Sequence, residues 1–277
     1  MKLIAAIFFL PILCLAQSPS FSDLEIRAVS RDLEQFSAVQ GSSVNTEKVL
    51  RFVDALSGKR DNFLNDTEFL RHVFHQTHRR FLKHFQTNAN FNQLLQSGTY
   101  NCLTATALYA ILLDHLTFDF KVIETNYHIF ILADVNGAQV LLETTDPLKG
   151  FVENPGEITT RISKYKSGEV TASSSKRVYY QYQQEVFNTI SKNQLRGLLH
   201  YNLSVDAYNE KNLSASVDHF VSAFILYPSS RLEEFSQIVQ LTIVKSDLDQ
   251  QAQKTLLTKI QSAKRLSQSQ IISMVTQ

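Results

Sequence analysis

From Ser20 to Leu95 the apolar positions recur at helical spacing. Leu24, Ile26, Val29, Leu33 and Phe36 predict one amphipathic helix, and Val49, Leu50, Phe52, Val53 and Leu56 a second. Asn65, Asp66 and Thr67 offer caps for a third, whose apolar stripe is Phe69, Leu70, Val73, Phe74, Phe81, Leu82 and Phe85. Phe91, Leu94 and Leu95 predict a short fourth helix, stopped by Gly98. The next stretch, GTYNCLTATALYAILLDHL, is apolar almost all round and so predicts a buried helix, with Thr99 or Asn101 as its N-cap.

After Thr117 the period changes. Phe118, Phe120, Val122 and Ile123 predict a strand. YHIFILADVNGAQVLLETTDP then predicts a hairpin, two β-rich runs around the turn pair Asn136-Gly137. Residues 150–175, rich in Gly, Pro, Ser, Thr and Lys, predict a long loop. From about residue 178 the spacing is helical again. Tyr201, Asn202, Leu203, Tyr208, Phe220, Ala223 and Pro228 fall as in one tetratricopeptide repeat, a helix-turn-helix unit of about 34 residues, with Ser204 and Ser216 at its small positions. Two more helices are predicted at 230–245 and 247–266. A lone repeat cannot bury its own face, so it must pack on a neighbour.

The pattern therefore predicts an α+β protein with a helical N-terminal layer, a helix packed on antiparallel sheet, and a helical C-terminal region. Its division is a leader at 1–16, a mixed domain at 17–176 and a tetratricopeptide-like domain at 177–277. Composition agrees: 44% of the 277 residues are apolar, ample for a core, and the net charge of +1 provides no field for nucleic acid. MKLIAAIFFLPILCLAQS has a basic start, an apolar run too short to remain a membrane span, and Ala16 at a cleavage position. It predicts export, periplasmic or extracellular. Ile12 and Leu13 are too large for a lipoprotein site at Cys14.

Export changes the meaning of Cys102. Loss of the leader removes Cys14, leaving one thiol with no disulfide partner, either well buried or kept for its chemistry. A thiol nucleophile needs a base, a group to hold that base, and a field favouring the thiolate. The chain offers these in order: Cys102 in the first turn of a predicted helix, where orphan N–H groups and the helix dipole favour an anion; His128 on the first hairpin strand; and Glu143 or Asp146 at the end of the second. A two-residue Asn136-Gly137 turn pairs His128 with Thr145, putting Glu143 on the histidine's face and Asp146 on the other. A bulge before the Asp146-Pro147 step would bring Asp146 round.

The segments YNCLTATALYAILL, YHIFIL and VLLETTDPLKGF, within residues 95–152, resemble the nucleophile helix, histidine strand and acid strand of the transglutaminase-like superfamily, whose core is that of papain-type peptidases. Ile129 departs from the aromatic that often follows the histidine there, and the chain has no Trp. The resemblance implies thiol chemistry on amide or ester carbonyls, hydrolytic or acyl-transferring, with Cys102 as nucleophile, His128 as base and Asp146 as the residue orienting it. It implies a peptide or protein substrate and no metal or organic cofactor. The oxyanion donors would be the Cys102 N–H and Gln96, the latter at the upstream spacing of a papain-type glutamine. The rival reading is a non-catalytic module presenting a peptide or partner groove on the same core and its C-terminal helices.

His72, His75, His78 and His84 fall on one helical stretch. No acid or thiol joins them, and Arg71, Arg79, Arg80 and Lys83 repel a cation, so a solvated basic face is expected there rather than a metal site. Sequons stand at Asn65, Asn202 and Asn212.

Overall fold

The computed structural model describes residues 23–42, 44–126, 128–167 and 186–275; the predicted leader, Cys14 and Tyr127 lie outside them. The architecture is α+β. The sheet is antiparallel, in the order β6-β5-β4-β3-β7: β3 (Asp119–Thr125), β4 (Ile129–Val135), β5 (Ala138–Leu142), β6 (Phe151–Val152) and β7 (Phe187–Ile190). A two-stranded parallel ladder, β1 (His84–Phe85) with β2 (Thr99–Tyr100), lies apart from it.

Four helices precede or interrupt these strands: α1 (Asp23–Ser37), α2 (Glu47–Ser57), α3 (Asp66–Phe81) and α4 (Phe91–Ser97). Most of the predicted stripe residues are buried, but Ile26 is exposed and Phe85, expected on the third helix, is an exposed residue of β1; α3 starts on Asn65, whose side chain accepts from Glu68 N. At the centre lies α5 (Cys102–His115), in which every residue from Leu103 to Leu113 is buried. Such a helix has no polar face because none is needed. α1 and α4 pack on it, Phe74 of α3 stacks on its Tyr109, and β3 and β4 of the sheet pack on it too.

The Asn136-Gly137 turn has positive φ at both residues, +55° and +81°, which matches the twist of a two-residue hairpin. It sets Val135 opposite Ala138 and Ile131 opposite Leu142, the register expected from the turn. Alternation then divides β4 between two cores. Ile129, Ile131 and Ala133 pack with α5, whereas Phe130 packs with Ile123, Leu141 and Val152 on the other face.

That second face is covered by α6 (Pro155–Ser167), where a loop was predicted. Composition misleads here. Asn154 accepts from Glu157 N, Pro155 takes a first-turn position where no N–H is needed, and Ile158, Ile162 and Tyr165 form a stripe onto the sheet. Residues 168–175 of the predicted loop lie outside the described residues. β7 was unforeseen too: it is a strand where helix was expected, and it carries the sheet past residue 176.

The C-terminal helices are α7 (Lys192–Asn209), α8 (Leu213–Leu226), α9 (Ser230–Val244) and α10 (Gln250–Val275). Ser204 and Ser216, at the two small positions, meet fully buried, and Ser204 Oγ donates to Ser216 O at 2.7 Å. These helices have their own core around Phe220, Phe235 and Ile260, while Leu195, Leu198 and Leu199 of α7 join the main core. A polar clamp adds to the join. Buried Glu124 of β3 accepts from Tyr227 Oη at 2.6 Å and pairs with Arg231 at 3.2 Å. Among the described residues no helix is long and apolar enough to cross a membrane.

Candidate active site

The approach to Cys102 is set by the β1–β2 ladder, which delivers Tyr100 and Asn101 to the mouth of α5. Asn101 caps it: its Oδ1 accepts from Thr104 N at 2.9 Å, and its own N–H donates to Thr104 Oγ1. The Asn101 amide also donates to the carbonyls of Thr87 and Ala89. Cys102 follows as the first helical residue, half-buried. Its N–H and that of Leu103 have no hydrogen-bond partner among the described residues, leaving two donors and the positive end of a helix beside the sulfur.

His128 stands just before β4, held by its backbone. Its N–H donates to Thr125 Oγ1, and its carbonyl accepts from Thr125 N and Thr125 Oγ1 at 2.8 and 3.0 Å. The imidazole bonds Glu143 through Nε2, and Cys102 stands close enough to it to raise its pKa. The helix is locked to both strand ends one turn further in: Thr106 Oγ1 meets Thr144 Oγ1 at 2.9 Å and donates to Ile129 O, with both threonines wholly buried.

The carboxylate on His128 is therefore that of Glu143, and the assignment of the orienting role to Asp146 is corrected. β5 keeps its ideal register to Leu142 without the bulge that would have turned Asp146 inward, so Glu143 emerges on the histidine's face. Asp146 faces the other way and builds a turn, its Oδ1 accepting from Leu148 N and Lys149 N. Main-chain bonds close that turn from Glu143 to Gly150, so tightly that a Cβ on Gly150 would lie 2.3 Å from two carbonyl oxygens. Gln96 is also placed elsewhere. It is exposed on α4, in a groove shared with Glu47, Arg51 and Arg80 that no residue of the Cys102–His128–Glu143 set lines.

Glu143 is 5% exposed and fully employed. One oxygen accepts from Thr145 N and Thr145 Oγ1; the other accepts from His128 and, at 2.9 Å, from Tyr165 Oη. Tyr165 reaches in from α6 with its ring 4.8 Å from the imidazole. It was missed because its segment was read by composition, although Ile158, Ile162 and Tyr165 carry helical spacing.

Charge completes the arrangement. Burial opposes an imidazolium at His128, but the influence of nearby Cys102 and the bond and charge of Glu143 prevail, raising its pKa to about 10. Burial alone would raise Glu143; the bond and charge of His128, with bonds from Thr145 and Tyr165, hold it below the ordinary carboxylate value.

The α3 histidines do not gather. His78 is buried against Phe74 and Tyr109 rather than solvated, and burial lowers its pKa to about 4. His75 stays exposed on α3 and His84 lies on β1. Asp32, Asp114 and His115 do converge, but the Lys192 ammonium already bridges the two carboxylates at 2.5 Å each. Comparison with known proteins returns no matching family model, no similar curated protein and no similar solved structure.

Proposed function

We propose that this chain is an exported, transglutaminase-like cysteine hydrolase or acyltransferase acting on amide or ester carbonyls. One observation carries the reading: a thiol in the first turn of a buried helix stands near an imidazole that a buried carboxylate holds through a hydrogen bond. In this mechanism the proton rests on His128 at neutral pH. Cys102 Sγ adds to the carbonyl carbon, and the oxyanion forms beside the free N–H groups of Cys102 and Leu103, each such donor worth about 3 kcal/mol. His128 then gives its proton to the leaving amine or alcohol as the carbon–heteroatom bond breaks, leaving a thioester. Water or an amine, deprotonated by His128, releases the acyl group and restores the thiol pair.

The sheet, with its nucleophile helix on one face, supports a papain-like core, and α7 with α8 supports a tetratricopeptide-like unit. A partner-binding role has its own support in the C-terminal helices. A cavity of about 1340 Å³ opens there, lined by Tyr208, Leu213, Lys245, Leu248 and Lys259.

Iodoacetamide labelling tests the thiol chemistry. At pH 6.5, Cys102 is expected to alkylate roughly a hundredfold faster than in His128→Ala, the scale of a general-base contribution. 4-Nitrophenyl acetate is expected to give a burst of one acyl group per chain that Cys102→Ala abolishes. Equal labelling in both proteins, or a burst surviving Cys102→Ala, refutes the proposal.

A further inference from the structure

A cavity of about 230 Å³ lies between residues 87–90 and α7, with Gln40 and Asn101 also in its wall. Cys102 and His128 do not line it, but Asn101 directly precedes Cys102, so the cavity begins one residue, about 3.8 Å of chain, from the residue that bears the thiol. We propose that this cavity is a subsite for an arginine side chain of a peptide substrate. Its role as a subsite rests on the function proposed above; its recognition of a guanidinium does not.

Unpaired polar groups in the wall carry the inference. Gln40 has its amide nitrogen and oxygen both buried, with no hydrogen-bond partner among the described residues. A buried amide is unfavourable in that state, and a ligand that bonds it removes the penalty. Half-buried Asp206 of α7 is the one charged residue among those lining the cavity. Its carboxylate has no hydrogen bond or ion pair among the described residues, and nearby Glu210 repels it. The wall therefore lacks one positive charge and several N–H donors. A guanidinium provides both in one planar group, a parallel pair of donors for the carboxylate and another for Gln40 Oε1. Asn101 is wall and not ligand, since its side chain is already bonded to Thr87 O, Ala89 O and Thr104 N. Leu199, Leu203 and Val205 offer apolar contact for the methylenes. Size agrees as well: at about 30 Å³ per water, the cavity has room for about seven or eight, roughly the bulk of an arginine side chain.

Calorimetric titration of the full chain with Nα-acetyl-arginine methylamide tests the recognition. Expected is one equivalent bound, with the citrulline analogue, similar in shape but uncharged, weaker by about tenfold or more. Asp206→Asn is expected to weaken the arginine probe by about tenfold and leave the citrulline probe nearly unchanged, whereas Gln40→Met, which removes the amide, weakens both. No binding, equal binding of the two probes, or an arginine affinity unchanged in Asp206→Asn overturns the site and leaves a cavity for water. If Asp206→Asn fails to fold, an arginine affinity unchanged in Gln40→Met overturns it instead. The subsite role is read from the 4-nitrophenyl esters of Nα-acetyl-arginine and Nα-acetyl-norleucine, over the Cys102→Ala background. Expected is a kcat/KM about tenfold or more in favour of the arginine ester, a preference that Asp206→Asn removes without changing the norleucine ester. If neither ester is cleaved while the arginine probe binds, the proposed function falls and the guanidinium site stands. If both are cleaved equally, the function stands and the subsite falls.

Discussion

Glu143→Gln is the most direct probe of the site. The carboxylate receives four hydrogen bonds, from His128, Tyr165 Oη, Thr145 N and Thr145 Oγ1. An amide of the same shape has one oxygen, so its NH₂ must face one of those donor pairs. At least one bond to a buried charge is then lost, at about 1.5–3 kcal/mol, and the His128 imidazolium loses the Glu143 counter-charge. Breaking a buried pair in this way costs about 3–5 kcal/mol in total. The cost carries a pH signature. His128 has its folded pKa raised from 6.5 to about 10, so its contribution is complete below pH 6.5 and disappears as pH climbs towards 10. The folded pKa of Glu143 is depressed from 4.5, so its contribution holds above pH 4.5 and fades as pH falls. Urea unfolding followed by circular dichroism at pH 5.5, 7.5 and 9.5 is therefore expected to show the largest loss at pH 5.5 and the smallest at pH 9.5. Asp146→Asn, which keeps an acceptor for the two turn N–H groups, is expected to lose less than about 1 kcal/mol throughout. A Glu143→Gln loss below about 0.5 kcal/mol, a loss independent of pH, or a larger loss in Asp146→Asn would refute the assignment of Glu143.

Three further outcomes follow from the supports of the site. Tyr165→Phe keeps the ring on His128 but removes the donor to Glu143; urea unfolding at pH 6 is expected to show a loss of about 1.5–3 kcal/mol, and no loss means the 2.9 Å bond is not made. Thr106→Val leaves the buried Thr144 hydroxyl without its partner, at about 1–3 kcal/mol, whereas the double variant Thr106→Val, Thr144→Val recovers most of it; additive losses in that cycle refute the coupling. Gly150→Ala forces a methyl group against two backbone carbonyls, so the Glu143–Gly150 turn must open; a Tm and iodoacetamide rate equal to wild type contradict an overpacking cost of about 1–3 kcal/mol or more.

Local signals in the chain were sufficient for much of this protein. Helical spacing located α1 to α5, and the Asn136-Gly137 pair determined both the hairpin and its register, because a two-residue turn with positive φ leaves one way to pair the flanking strands. The same register already set Glu143 on the histidine's face; resemblance drew the choice to Asp146, and the unbroken ladder decides between them. The order Cys102, His128, Glu143 was thus legible along the chain. What needed the folded molecule was everything acting across elements: the Thr106–Thr144 bond holding α5 to the strand ends, the reach of Tyr165 from α6, and the use of residues 187–190 as an edge strand against β3. A periodicity reports which face of a segment is buried but not what it is buried against, and contacts between distant segments leave no period in the sequence.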